Sequence, residues 1–166
     1  MNQQPVAEAG PGRPRWTHLA LRVGDVERSI EWYERHTPLR LLQRNRDELG
    51  FGAWLADPAD AAQPFILVLA QFLPETDPFG FAPRTVLGPF AHIGFELLSR
   101  EAVDEVARLA AEEGTLSLPP TLMPPPIGYI CFVEDPDGNT VEFSCDQATY
   151  AIVRQVWGSG GGEATS

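Results

Sequence analysis

The chain contains three histidines, and two of them sit in segments that read alike. Trp16 to Val23 is WTHLALRV and Phe90 to Leu97 is FAHIGFEL, so His18 and His92 hold the same place 74 residues apart. Side chains on a strand alternate between faces, so His18 shares its face with Trp16, Ala20 and Arg22, while Leu19, Leu21 and Val23 point to the other. His92 shares its face with Phe90, Gly94 and Glu96 in the same way. Glu142 lies with Thr140 and Ser144, opposite Val141 and Phe143. Two imidazoles and a carboxylate on one polar face are the donor set of a facial metal triad, which leaves coordination positions open to water or substrate. A lone strand histidine is more often a packed or surface residue. The duplicated position of these two, with a Glu on a partner strand, is what singles them out.

Such a set needs strands in a repeated order, and the chain supplies one. After the first strand, Asp25 is placed to cap a helix from Val26 to Arg35, and extended segments follow at Leu39 to Arg44, Leu49 to Ala56 and Pro64 to Phe72. DPADAAQP before the last of these reads as a turn. The second half repeats the pattern: a strand from Phe90 to Leu97, then a helix capped by Ser99, running to Glu113 and ended by Gly114. Extended pieces follow at Thr115 to Leu118, Tyr129 to Glu134 and Asn139 to Ser144, with the turn DPDG at 135–138. Asp146 to Val156 reads as a closing helix. The result is an internal βαβββ duplication, an α+β arrangement of two modules. The 74-residue offset places Val68, on the fourth strand, where Glu142 stands in the second half. Residues 1–15 and 158–166 read as tails around one domain at 16–157. Within it, module one spans 16–72, a connecting loop 73–89, module two 90–145 and the closing helix 146–157.

Composition narrows the chemistry. The 166 residues carry twelve arginines, no lysine and 23 acidic residues, for a net charge of −11. That balance opposes binding to phosphate backbones and anionic lipid surfaces, so neither nucleic acid nor membrane is an expected partner. The missing lysine removes Schiff-base and P-loop chemistry. Cys131 and Cys145 are too few for a disulfide framework and have no basic neighbour, and they read as buried structural thiols. The N-terminal segment has no apolar core of a signal peptide, and the expected location is the cytoplasm.

HLALRVGDVERSIEWYE, HIGFEL and DPDGNTVEF, in this order, resemble the vicinal oxygen chelate superfamily, which includes glyoxalase I, bleomycin resistance proteins, fosfomycin resistance proteins and extradiol dioxygenases. The resemblance covers about residues 16–145. It implies two βαβββ modules curling into a cup-shaped mixed sheet with helices outside, often as a homodimer. It also implies a divalent metal ion (Fe, Mn, Ni, Zn or Co) held by His18, His92 and Glu142, with Glu142 also the catalytic carboxylate. A small substrate would chelate the open positions through two neighbouring oxygens, and the metal would act as Lewis acid in lyase, isomerase or dioxygenase chemistry. The alternative within the same resemblance is a binding protein of the bleomycin resistance type, which sequesters a drug or metabolite without the metal.

The departures are as informative. The fourth, glutamate ligand of the glyoxalases falls at Val68, which can neither ligate nor take a proton. The dioxygenase tyrosine, ten residues before the metal Glu, falls at Phe132; Tyr129 could stand in only with a different strand register. His36, at the end of the first helix, reads as a surface residue. Arg22 on the metal face, or Arg84 in the connecting loop, could hold an anionic substrate, although an Arg22–Glu96 ion pair is the plainer reading. Arg22, Phe132, Tyr129 and Val68 are therefore the candidate substrate-binding positions. The segments 72–90 and 119–126 read as stiff, apolar loops that serve either as site walls or as packed connections.

Overall fold

The computed structural model describes residues 16–79, 87 and 90–157. The expected tails, Arg84 and most of the connecting loop lie outside these residues. The chain divides into two compact units, Met1–Thr85 and Val86–Ser166.

The first unit holds β1 (His18–Arg22), α1 (Val26–His36), β2 (Arg40–Arg46), β3 (Gly50–Ala56) and β4 (Ile66–Phe72). Its sheet order is β1-β4-β3-β2, with β1 parallel to β4 and the other pairs antiparallel. Asp25 starts α1 by accepting from the amides of Glu27 and Arg28, both at 3.1 Å, which satisfies two of the helix's free donors. Leu21 pairs with Leu69, Leu69 with Ala53 and Leu67 with Leu55, so these side chains share one face of the sheet. All are buried together with Ile30 and Tyr33 of α1, and their removal from water is the main force holding helix to sheet. The opposite face carries His18, Ala20, Arg22 and Val68.

The second unit holds β5 (Ile93–Glu96), α2 (Arg100–Glu113), β6 (Leu116–Met123), β7 (Gly128–Glu134), β8 (Thr140–Cys145) and α3 (Thr149–Trp157). Its order, β5-β8-β7-β6, and its one parallel pair, β5 with β8, repeat the first unit. Two four-stranded mixed sheets with three helices therefore realise the expected duplication. The Ser99 hydroxyl caps α2 by accepting from the Ala102 amide, and Gly114 ends it at φ 73°, a conformation a side chain would disfavour. Val103, Ala107 and Ala110 of α2 are buried with Cys131, Val133, Val141 and Phe143 of the sheet.

The DPDG turn is tied from within. Asp135 accepts the Asp137 and Asn139 amides on Oδ1 and the Asn139 side-chain amide on Oδ2. Gly138 takes φ 84° there.

Several expectations need correction. β6 runs on to Met123, so the first half of segment 119–126 is strand rather than loop. Pro119 and Pro120 are tolerated because β6 is an edge strand whose register shifts between Leu118 and Thr121. The closing helix begins at Thr149, because Asp146 sits at φ 60° and breaks any helix through it. His36 is not a surface residue: it is 6% exposed, with its ring 4.8 Å from that of Trp32, one turn earlier on α1. Among the described residues no helix is long and apolar enough to cross a membrane.

Candidate functional site

Within the second unit, β5 and β8 run parallel with Gly94 opposite Glu142, and β7 runs beside β8 with Phe132 opposite Glu142. His92 immediately precedes β5. This register brings its ring to the Glu142 carboxylate, with Nε2 3.4 Å from Oε2. The other ring nitrogen, Nδ1, is 2.8 Å from the backbone carbonyl of Phe90. A carbonyl only accepts, so Nδ1 donates there, and Nε2 is the ring nitrogen left to face the carboxylate. Glu142 is buried, and its Oε1 accepts from Gln147 Nε2 at 2.9 Å.

Two electron-pair donors facing each other at this distance call for an electrophile between them, a proton or a metal ion. A histidine whose far nitrogen is fixed by a backbone carbonyl, beside a carboxylate whose second oxygen is held by an amide, is the outer-shell arrangement of metal ligands. The residues fit a divalent ion on this ground. Among the described residues no three His, Cys, Asp or Glu side chains converge as a complete metal-binding group; the structure brings together His92 and Glu142. His18 lies on the equivalent strand of the first unit, exposed, with its Nδ1 2.9 Å from the Thr17 hydroxyl.

The pair opens on a cavity of about 500 Å³ whose walls include Phe90, Ile127, Ile130, Phe132, Ile152 and Val153, besides His92, Glu142 and Gln147. The Phe132 ring lies 5.5 Å from that of His92. Phe132 is thus placed beside the pair, as its alternation with Glu142 requires.

The other candidates fall elsewhere. Tyr129 is on the α2 face of β7, opposite to Phe132, and its hydroxyl donates to Asp104 Oδ1 at 2.7 Å. That hydrogen bond to a carboxylate holds its pKa above the usual phenol value. The structure therefore removes Tyr129 from the face that bears Glu142. Arg22, expected to pair with Glu96, has a counter-charge in its own unit. Its guanidinium contacts Asp77, a nearly buried carboxylate in the segment after β4, and lies over the Phe72 ring at 5.7 Å. Its charge is compensated within the first unit. Val68 is half-buried on the His18 face of β4, with Ala20 and Trp54 as its register partners.

Three contributions escaped the sequence. Gln147, which the sequence reading places in the closing helix, lies in the irregular turn before α3. Ile152 and Val153 line the cavity from α3, a helix legible only as such. Trp54 is opposite Val68 as Phe132 is opposite Glu142, and the alternation of β3 could have shown it.

Residues 15–143 match the family model described as the Glyoxalase/Bleomycin resistance protein/Dioxygenase superfamily. The chain belongs to this superfamily. An uncharacterized protein of Pseudomonas aeruginosa is 39% identical over 135 residues, covering 81% of this chain and 90% of its own. A probable lactoylglutathione lyase of Vibrio cholerae is 26% identical, covering 82% and 94%. Among solved structures, a glyoxylase/bleomycin resistance protein/dioxygenase domain from a Frankia species superposes with a TM-score of 0.59 at 22% identity, covering 80% of this chain and 97% of that one. At that identity the likeness speaks for the fold, which the duplicated sheets already display.

Proposed function

We propose that this superfamily member is a divalent-metal-dependent enzyme of glyoxalase-like lyase or isomerase type, acting on a small substrate that presents two neighbouring oxygens. His92, Glu142 and His18 are the proposed ligands. The observation that carries the reading is the His92–Glu142 pair, with Nε2 and Oε2 facing each other and each group's other polar atom already engaged.

A divalent ion held there supplies Lewis acidity, polarising a substrate oxygen so that negative charge can develop on it. The remaining work belongs to the chain. Phe132 and the apolar walls bind the substrate body and exclude water, which strengthens electrostatic interactions inside. Glu142 is the one carboxylate among the residues lining the cavity, so a proton leaving the substrate within it has that carboxylate as its acceptor. Gln147, on Oε1, keeps that oxygen turned away. The register partner of Ala20 being Val68, the first unit offers no second carboxylate at the duplicated place, and the chemistry is that of a single base. Dioxygenase chemistry is less well served: Phe132 stands at the tyrosine position, Tyr129 faces α2, and His36 is buried against Trp32. The names of the 26–27% identical relatives, lactoylglutathione lyases, agree with the lyase class. A homodimer, as the resemblance implies, is part of the reading.

Metal analysis of purified protein tests it. One divalent ion per chain is expected, lost in His92→Ala and in Glu142→Gln. Metal retained in both variants, or never present after growth with Mn, Fe, Ni, Zn and Co, sinks the enzyme reading and leaves the ligand-sequestering alternative.

A further inference from the structure

The cavity beside His92 and Glu142 is built for one kind of ligand body. Its volume, about 500 Å³, is that of a site for drug-sized molecules. Among the residues that line it there is no arginine, and its one carboxylate is Glu142. An anionic group on the substrate body would find no cationic side chain in this lining. Its walls, by contrast, leave large apolar side chains open to solvent: Phe90 is 87% exposed, Ile152 43%, Ile127 38% and Val153 38%. Thr149, Ile152 and Val153 line it from one face of α3, at the i, i+3, i+4 spacing of neighbours on a helix. Phe132 and Phe90 both place rings within 6 Å of the His92 ring, at 5.5 and 5.7 Å. Of the polar residues in the lining, His92 and Gln147 contact Glu142, and apart from Thr149 the rest of the lining is apolar.

We infer that the substrate carries an uncharged, carbon-rich body, aromatic or branched, directly beside its two oxygens, and that the α3–Phe132 cavity selects it over anionic adducts. This rests on the proposed reading for the placement of the oxygens, but the selection of the body belongs to the walls alone. It also separates this chain from what the relatives' names suggest, because a glutathione conjugate brings two carboxylates and an ammonium that the described lining does not match.

The test compares three ligands by calorimetry on metal-loaded protein: 2-hydroxyacetophenone, hydroxyacetone and S-lactoylglutathione. The first two share the adjacent carbonyl and hydroxyl and differ only in the phenyl ring. 2-Hydroxyacetophenone is expected to bind at least tenfold more tightly than either of the others. Ile152→Asp, at an exposed helix position that does not threaten folding, and Phe132→Ala should each remove most of that advantage. Equal affinity for the first two, or preference for S-lactoylglutathione, overturns the inference. A fourth arm uses toluene with chelator-treated protein, where the metal plays no part. Toluene binding that Ile152→Asp abolishes supports the cavity assignment whatever becomes of the metal, and its absence overturns that assignment while the metal reading stands. Metal retained by both His92→Ala and Glu142→Gln overturns the metal reading alone.

Discussion

Val68 and Glu142 occupy the same register position in the two sheets. Val68 pairs with Ala20 across the parallel β1–β4 ladder, and Glu142 pairs with Gly94 across β5–β8. Each also faces an aromatic residue on the antiparallel side, Trp54 in the first unit and Phe132 in the second. The duplication has kept the aromatic neighbour in both halves and the carboxylate in one. Val68→Glu restores the carboxylate. Val68 is half-buried, so the variant should fold, with a stability loss of about 1–2 kcal/mol from desolvating the new group. On the proposed ligand set, Zn(II) affinity measured by chelator competition should rise about tenfold or more, roughly 1.4 kcal/mol. Unchanged affinity would take the Val68 position out of the site.

Gln147 is expected to set metal affinity without being a ligand. Its amide holds Glu142 Oε1 at 2.9 Å and leaves Oε2 facing His92. Outer-shell partners of this kind are worth about 10–100-fold in affinity. Gln147→Ala should therefore weaken Co(II) binding within that range and alter its visible absorption, because a freed carboxylate changes how it coordinates. Thermal stability should move by no more than about 1 kcal/mol, the worth of one partly buried hydrogen bond. An unaltered Co(II) spectrum with unaltered affinity would show that the amide has no part in holding the ion.

The two histidine-bearing segments were legible because a duplication leaves the same alternation twice. WTHLALRV and FAHIGFEL announce which face of each strand is buried, and Asp25, Ser99 and Gly114 mark helix ends through local chemistry that a sequence shows directly. What was not legible depends on contacts between distant residues. Nothing near Arg22 indicates that Asp77, 55 residues on, supplies its counter-charge. His36 read as exposed because it ends a helix, but Trp32 one turn earlier covers it. Gln147 reads as part of the closing helix, and only the path of the chain after β8, turned at Asp146, reveals that it reaches Glu142.

Tyr129 offers a control for the face assignment. Its hydroxyl is spent on Asp104, on the side of β7 that meets α2, and Arg100 lies over its ring at 5.4 Å. Tyr129→Phe should lower stability only slightly in denaturant unfolding, because this hydrogen bond is exposed to solvent. Zn(II) affinity and turnover should stay within about twofold of wild type. A large loss of turnover with intact stability would return Tyr129 to the site.

The two thiols give a pH dependence whose sign follows from burial. Cys131 is fully buried on the α2 face of the sheet, and desolvation pushes its pKa from 9.0 up to about 11; burial also raises that of Cys145. In the folded chain the neutral thiol is therefore favoured. Between pH 9 and about 11 the unfolded state has lost the Cys131 proton while the folded state keeps it, so stability falls as pH rises through that window and is unaffected by this group below it. Denaturant unfolding of wild type and Cys131→Ala should show a steeper decline for wild type over that interval, with parallel curves from pH 7 to 8.5 as judged from the ordinary thiol value. Reaction with iodoacetamide at pH 8 should be slow in the native protein and reach both thiols once it is unfolded, because the thiolate is the nucleophile. Rapid native labelling of Cys131 at pH 8 would mean that the α2–sheet contact opens far more readily than its packing implies.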